Sequence, residues 1–140
     1  MIELTWLTPG GDKSGCYAVR RRVFVDEQGF ADEFDDIDKT CEHLLVTDDG
    51  APIGAARLYQ QDGAFHAGRV CVDAACRGQG LGKRIMDAVE RRAKARGAAA
   101  LELGAQTQVQ AFYARCGYAS QGEPYYEQHC RHVVMRKVLE

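Results

Sequence analysis

The residues able to do chemistry gather first in one stretch, Val70-Cys71-Val72-Asp73-Ala74-Ala75-Cys76-Arg77-Gly78-Gln79-Gly80-Leu81-Gly82-Lys83. A β-branched run ends there, alternate glycines follow, and a helical pattern starts at once. Glycines at 78, 80 and 82 permit left-handed or bridge dihedrals, so successive backbone N–H groups can point into one concavity at a helix N-terminus, where the macrodipole favours negative charge. A pyrophosphate suits such a loop. Spacing excludes two phosphate motifs. Counting back from Gly82-Lys83, the first Walker glycine falls on Arg77, and Arg84 replaces the magnesium-binding hydroxyl. The dinucleotide fingerprint needs a glycine where Lys83 stands.

What fits is Arg/Gln-x-x-Gly-x-Gly/Ala, as Arg77-Gly78-Gln79-Gly80-Leu81-Gly82, between a strand and a helix. This resembles the acetyl-coenzyme A loop of GNAT-type N-acetyltransferases; a glycine-rich turn that binds nothing is the other reading. Arg20-Arg21-Arg22-Val23-Phe24-Val25-Asp26-Glu27-Gln28-Gly29 resembles the Arg-x-x-Val-Phe-Val-x-Glu-Gln signature of the bacterial ElaA/YjcF-type branch. Ala111-Phe112-Tyr113-Ala114-Arg115-Cys116-Gly117-Tyr118 resembles the family's Phe-Tyr-x-x-x-Gly-Phe/Tyr segment, and His132-x-x-Met135 stands as that branch has it. Cys130-Arg131 departs from the branch, which often has Ile-Pro there.

Elements able to position these residues follow from pattern. Glu3 to Leu7 alternates like a strand, and Pro9-Gly10-Gly11-Asp12 ends it. Ser14 to about Val25 reads as a helix. Asp49-Gly50 and Asp62-Gly63 separate apolar runs, hence consecutive hairpins and an antiparallel meander ending in the motif strand. Leu81, Ile85, Val89 and Ala93, with Met86 beside them, form one helical face that stops at Gly97. Ala99 to Leu103 reads as a strand parallel to the motif strand, Thr107 to Cys116 as a helix capped by Gly117, and the segments after Tyr118 as closing strands. The resemblance implies an α/β (mixed α+β) GNAT fold: a mostly antiparallel twisted sheet of about six to seven strands, one parallel pair at the cofactor cleft, and about four flanking helices.

The resemblance also implies roles. The pantetheine arm would run along the motif strand, with Val70, Cys71 and Val72 contributing backbone bonds and the Val72 N–H region polarising the thioester carbonyl. The loop, Arg77, Gly78, Gln79, Gly80, Leu81, Gly82 and Lys83, would hold the pyrophosphate. Gln106 stands where many members have a pantetheine-contacting Asn, and its amide keeps both donor and acceptor. Tyr113 matches the general-acid tyrosine that protonates the leaving thiolate, while a core aromatic with a satisfied hydroxyl is the plain alternative. His66, on the motif strand where some members place a glutamate, is a candidate base, since an imidazole titrates near neutrality. Glu27 and Glu102 are rivals. Arg20 and Gln28 belong either to the pocket wall or to the support of the following acidic loop. Cys71 reads as a small buried hydrophobe, so no acyl-cysteine is expected.

Length and composition bound the reading. With 140 residues, 46% hydrophobic, the chain suits a single domain over 1–140. No basic leader and no long apolar run occur, so a cytoplasmic protein without a membrane partner is expected. Its six cysteines then read as free thiols, and without a Cys-x-x-Cys pair no metal is expected. Net charge of −2 argues against nucleic acid. Between Asp26 and Glu42 eight acids face Lys39 alone, and between Lys83 and Arg96 six bases face Asp87 and Glu90. The acidic run, with Glu33, Asp35 and Asp36, could draw a cationic acceptor, and the basic run could favour cofactor phosphates; two solvated faces are the plain alternative. The reading is an acetyl-coenzyme A dependent N-acetyltransferase acting directly on a primary amine of a small molecule or peptide in a ternary complex. The rival is a catalytically silent acyl-coenzyme A binding or sensing module, with a homodimer through the last strands.

Overall fold

The computed structural model describes all 140 residues. Seven strands form one sheet in the order β1-β2-β3-β4-β5-β7-β6: β1 Ile2–Leu7, β2 Glu42–Asp48, β3 Ala51–Gln61, β4 Ala64–Val72, β5 Ala100–Gln106, β6 Ala119–Glu127 and β7 Cys130–Val138. Asp49-Gly50 and Asp62-Gly63 both lie at positive φ, the two-residue turn whose twist matches that of the flanking strands. Only β4 and β5 are parallel, and they pair only at Phe65 with Leu101 and His66 with Glu102. Beyond that point β5 follows β7 while β4 stays with β3, so the sheet opens into a slot.

Three helices flank the sheet, the first of them extended by a π-helical segment. Helix α1 spans Ser14–Arg20 and continues as a π-helical segment, Arg21–Glu27, with Gln28 N–H bonding back to Val23 O. Helix α2 is Leu81–Ala95 and α3 is Gln110–Arg115, entered through a tight turn at Thr107–Val109. The stripe Leu81, Ile85, Met86, Val89 and Ala93 packs on Leu44, Leu58, Leu101 and Met135, forming the main core. On the other face Cys16 and Val19 of α1, with Val23 of its π-helical continuation, cover Ala55 and Cys71. That face beyond β4 carries no helix.

The acidic run is not a free field for a cationic acceptor, and here the structure corrects the sequence. Arg20, 1% exposed, pairs with Asp38 (2.7 and 3.0 Å) and Glu33 (3.1 Å). Arg57 binds Asp35 (2.7 and 3.1 Å) and Asp38 (3.0 Å), and Arg69 binds Glu33 at 2.9 Å. Glu42 takes Arg92 and Arg96 from the basic run of α2. Glu33, Asp35, Asp38 and Glu42 of the acidic run, and Arg92 and Arg96 of the basic run, are thus spent on holding the fold, with Arg20 supporting the loop. Burial pushes the Asp38 carboxyl up, but the hydrogen bonds and charge of Arg20, with Arg57 behind them, outweigh it and hold it at about 2. Burial raises Glu33 against the same guanidinium charges.

Removing one guanidinium strands buried carboxylates, so Arg20→Ala should cost about 3–5 kcal/mol in urea unfolding. A carboxyl depressed on folding stabilises above its unfolded value, about 3.9, and that stability disappears as pH falls towards the folded value. The stability difference between wild type and Asp38→Asn should therefore be full above about pH 4 and shrink as pH drops towards 2. A difference flat across that window would deny Asp38 its part in the network.

Candidate cofactor and acceptor site

The loop between β4 and α2 is shaped for an anion. Gly78 and Gly80 adopt φ of 80° and 78°, and nothing lies within 4 Å of where their side chains would be. The amides of Gly78, Gln79 and Gly80 donate to no backbone carbonyl, and the first helical donor of α2 is Arg84, to Gly80 O. The opening amides of a helix lack intrahelical acceptors, so Leu81, Gly82 and Lys83 add three more donors. Gly82 differs from its neighbours. It sits in the helix, and a methyl group there would lie 3.0 Å from the Phe112 ring, so its smallness lets α3 dock on the start of α2. Lys83 pairs with Asp87 one turn on.

Arg77 has another task in the chain as it stands. Its Nη1 and Nη2 donate to both Glu27 oxygens at 2.7 and 2.8 Å, and its Nε donates to Val72 O at 3.0 Å. The guanidinium is a strut joining the end of the first helix, the end of β4 and the loop. Glu27, hydrogen-bonded to Arg77, is held below the usual carboxylate range. Two candidates for different roles are therefore each other's partners.

Along the slot, Cys71 and Val72 pair with β3 alone, and Val70, within the irregularity, has no strand partner. An extended chain bearing amides could pair with their free edge. Together the unpaired strand and the free loop amides fit a diphosphate followed by an amide-bearing arm. Cys71 faces the core, and burial pushes its thiol up to about 12, which rules it out as a thiolate at neutral pH. Gln106 ends β5, donating to Gln28 Oε1 at 2.8 Å and accepting from Gln108 at 2.7 Å. Gln28 therefore belongs to the site wall, whereas Arg20 does not.

Tyr113, on α3, is 8% exposed, its ring edge-on to Phe112 and Tyr118. Its hydroxyl has no partner within the chain and is not fully sealed from solvent. Tyr118 shows the contrast, giving its hydroxyl to Glu90 at 2.8 Å. Burial, then Cys116 and Cys71, push the Tyr113 phenol up, so it stays protonated. His66 and Glu102 hold paired positions at the head of the slot, on the face away from α2, and His66 stacks on Tyr59. A groove of about 380 Å³ adjoins this face, lined by Gln28, Phe30, Gln108, Tyr126, His129 and Arg131 among others.

At the start of β2 the fold brings Cys41 Sγ within 3.3 Å of His43 Nε2, with Asp38 close by. Two guanidiniums already hold the Asp38 carboxylate, and their charge opposes a cation there.

Residues 15–139 match the acetyltransferase (GNAT) domain model. The chain belongs to the GNAT acetyltransferase family. YjcF of Bacillus subtilis, named as an N-acetyltransferase, is 39% identical over 105 residues, which cover 74% of this chain and 75% of that one. Escherichia coli ElaA superposes with a TM-score of 0.86 at 30% identity, covering 98% and 99% of the two chains. An acyl-CoA N-acyltransferase from Pseudomonas aeruginosa superposes at 0.88 with 28% identity, covering 99% and 100%. The sheet with its one parallel pair is thus the GNAT fold, and the chain carries an acetyltransferase domain of the ElaA and YjcF branch.

Gly82 gives a test of its packing contact with Phe112. Gly82→Val should lower stability by about 1–3 kcal/mol in thermal melts, because the Phe112 ring must move. Gly10→Val, with nothing within 4 Å, should change stability by less than about 0.5 kcal/mol. Equal losses would show that the Phe112 contact does not matter.

Proposed function

We propose that the protein transfers acetyl from acetyl-coenzyme A directly to a primary amine of a small molecule, without an acyl-enzyme. The observation that carries the proposal is the partnerless, protonated Tyr113 phenol on the helix that docks beside the anion loop and the slot. Acetyl-coenzyme A supplies an activated acyl group on a thiol leaving group. The loop amides of Gly78 to Lys83 bind its pyrophosphate, which leaves Arg77 free to remain on Glu27. The free edge of Val70 to Val72 orients the pantetheine arm, and the Val72 amide polarises the acyl oxygen.

Two proton transfers remain. Tyr113 gives its proton to sulfur as the carbon–sulfur bond breaks and the carbon–nitrogen bond forms. An alkylammonium, with a pKa of about 10.4, must shed a proton first. His66 is the base best supported, since it stands at the head of the slot beside Glu102, whereas Arg77 holds Glu27 below the usual carboxylate range. The amine's proton leaves through His66 to solvent, and solvent restores the phenol. Buried Cys71 has no part in this.

Tyr113→Phe removes one hydroxyl and keeps the ring. It should lower kcat by about 10²–10⁴-fold while acetyl-coenzyme A binding, read by calorimetry, stays within severalfold. Gly80→Asp should instead abolish the rise in Tm that acetyl-coenzyme A gives the wild type, because its carboxylate enters the anion site. Full turnover by Tyr113→Phe would remove the phenol from the mechanism. A wild type that binds the cofactor but acetylates no amine at any pH would make the chain an acyl-coenzyme A sensor.

A further inference from the structure

The sheet face opposite α2 holds a tyrosine that the chemistry above does not use. Tyr125 lies on β6, the edge strand, yet its side chain reaches inward across β7 to β5, where its hydroxyl rests on Gly104 so closely that a methyl group on Gly104 would overlap it. Gly104 follows Glu102, where β5 has already parted from β4, so the hydroxyl hangs over the β5 bank of the slot. No group in the chain accepts from it or donates to it, and Tyr125 is only partly buried. Burial, then Glu127 and Tyr59, raise its pKa and keep it protonated.

A packing role does not explain this arrangement. Phenylalanine would fill the same volume, and a glycine inside a strand is a cost that ordinarily marks close approach of another group. The surroundings are aromatic. Tyr125 stacks on His132 with centroids 5.7 Å apart, Phe30 stands edge-on to His132 at 6.4 Å, and His129 lies 4.8 Å beyond Phe30. Across the slot, Tyr59 stacks on His66 at 5.2 Å. The adjoining groove, of about 380 Å³, includes Phe30, Tyr126 and His129 but no carboxylate. Glu102 and Glu127 stand outside that groove, so a cationic chain would meet no carboxylate within its lining. A flat apolar group would find rings to lie against.

We infer that Tyr125 is the acceptor-binding residue of the slot and that the acceptor is a primary amine carrying an aromatic group. The Tyr125 oxygen accepts a hydrogen bond from the incoming amine N–H, which turns the nitrogen towards the acyl carbon on the side of His66. The aromatic substituent lies along Tyr125, His132 and Phe30. Gly104 is glycine so that the hydroxyl can come this close. The inference rests on the acetyl-transfer reading and goes beyond it by naming the substrate class and the residue that selects it.

The test uses phenethylamine and spermidine as probes, with thiol release as the readout. Wild type should favour phenethylamine in kcat/KM. Tyr125→Phe should raise the phenethylamine KM by at least about tenfold, the worth of one hydrogen bond to a charged or strongly polar group, with the acetyl-coenzyme A Kd unchanged within twofold. Gly104→Ala should do the same by pushing the hydroxyl aside, and the double variant should be no worse than either alone, because both remove one interaction. Gly104→Ala should also lower Tm in the wild-type background and much less in Tyr125→Phe, where the overlapping atom is gone. A spermidine preference, or an unchanged KM in Tyr125→Phe with turnover intact, overturns this inference alone. A wild type that acetylates neither these nor any other amine overturns the transfer reading and this inference with it.

Discussion

The extra residue in β4 is the constraint on which the site depends. Between Gly68 and Cys71 the strand carries one residue more than β3 opposite it, and Arg69 takes a φ of 52° to accommodate it. A side chain other than glycine in that conformation costs about 1–3 kcal/mol and persists only where its surroundings hold it. The hold comes from charge. Arg69 reaches Glu33 and Asp35, and Arg57 passes over Gly68 to reach Asp35 and Asp38. Arg20 closes the set from α1. A bulge bends its strand and interrupts pairing, and the pairing of β4 with β5 ends just before this one. The slot, the acidic loop and the first helix are therefore one assembly.

Local signals in the sequence were sufficient where local physics decides the structure. The Asp-Gly turns, the apolar stripe of α2 and the glycine stops at Gly97 and Gly117 concern neighbours a few residues apart, and each formed as expected. The acidic run misled because its partners are distant in the chain. Nothing within Asp26 to Glu42 reveals that Arg57 and Arg69 will lie across from it. A signal existed elsewhere: Arg20 shares a helical stripe with Cys16, Val19 and Val23, and Arg57 interrupts an apolar strand between Ala56 and Leu58. An arginine on a buried stripe requires carboxylates, and the acidic run was the available supply.

The same limit hid Tyr125. Strand β6 shows no alternation of burial, since it is an edge strand exposed along nearly its whole length, and so no pattern singled out the one side chain that turns inward. Gly104 was the visible half of the contact, but just past the expected strand Ala99 to Leu103 it read as the end of that strand, which in fact runs on to Gln106. Glu27 and Arg77 were each readable as motif residues, but as members of separate motifs 50 positions apart. Their pairing joins the end of the first helix to the phosphate loop, so a change at either residue reaches both sites.

Residue type alone does not assign the acid. Tyr113 and Tyr118 lie five positions apart, both buried, with rings in edge contact at 6.0 Å. The Tyr118 hydroxyl is committed to Glu90, which Lys137 also holds, so its proton has a fixed owner and the group serves the core. The Tyr113 hydroxyl has no such owner. A hydroxyl left without a partner in the chain, and not sealed from solvent, is available to a ligand. If the atom it meets gains charge during a reaction, the hydrogen bond strengthens as that charge forms. In the proposed transfer, the open hydroxyl on α3, rather than the satisfied one beside it, is the group able to give its proton to the leaving thiolate.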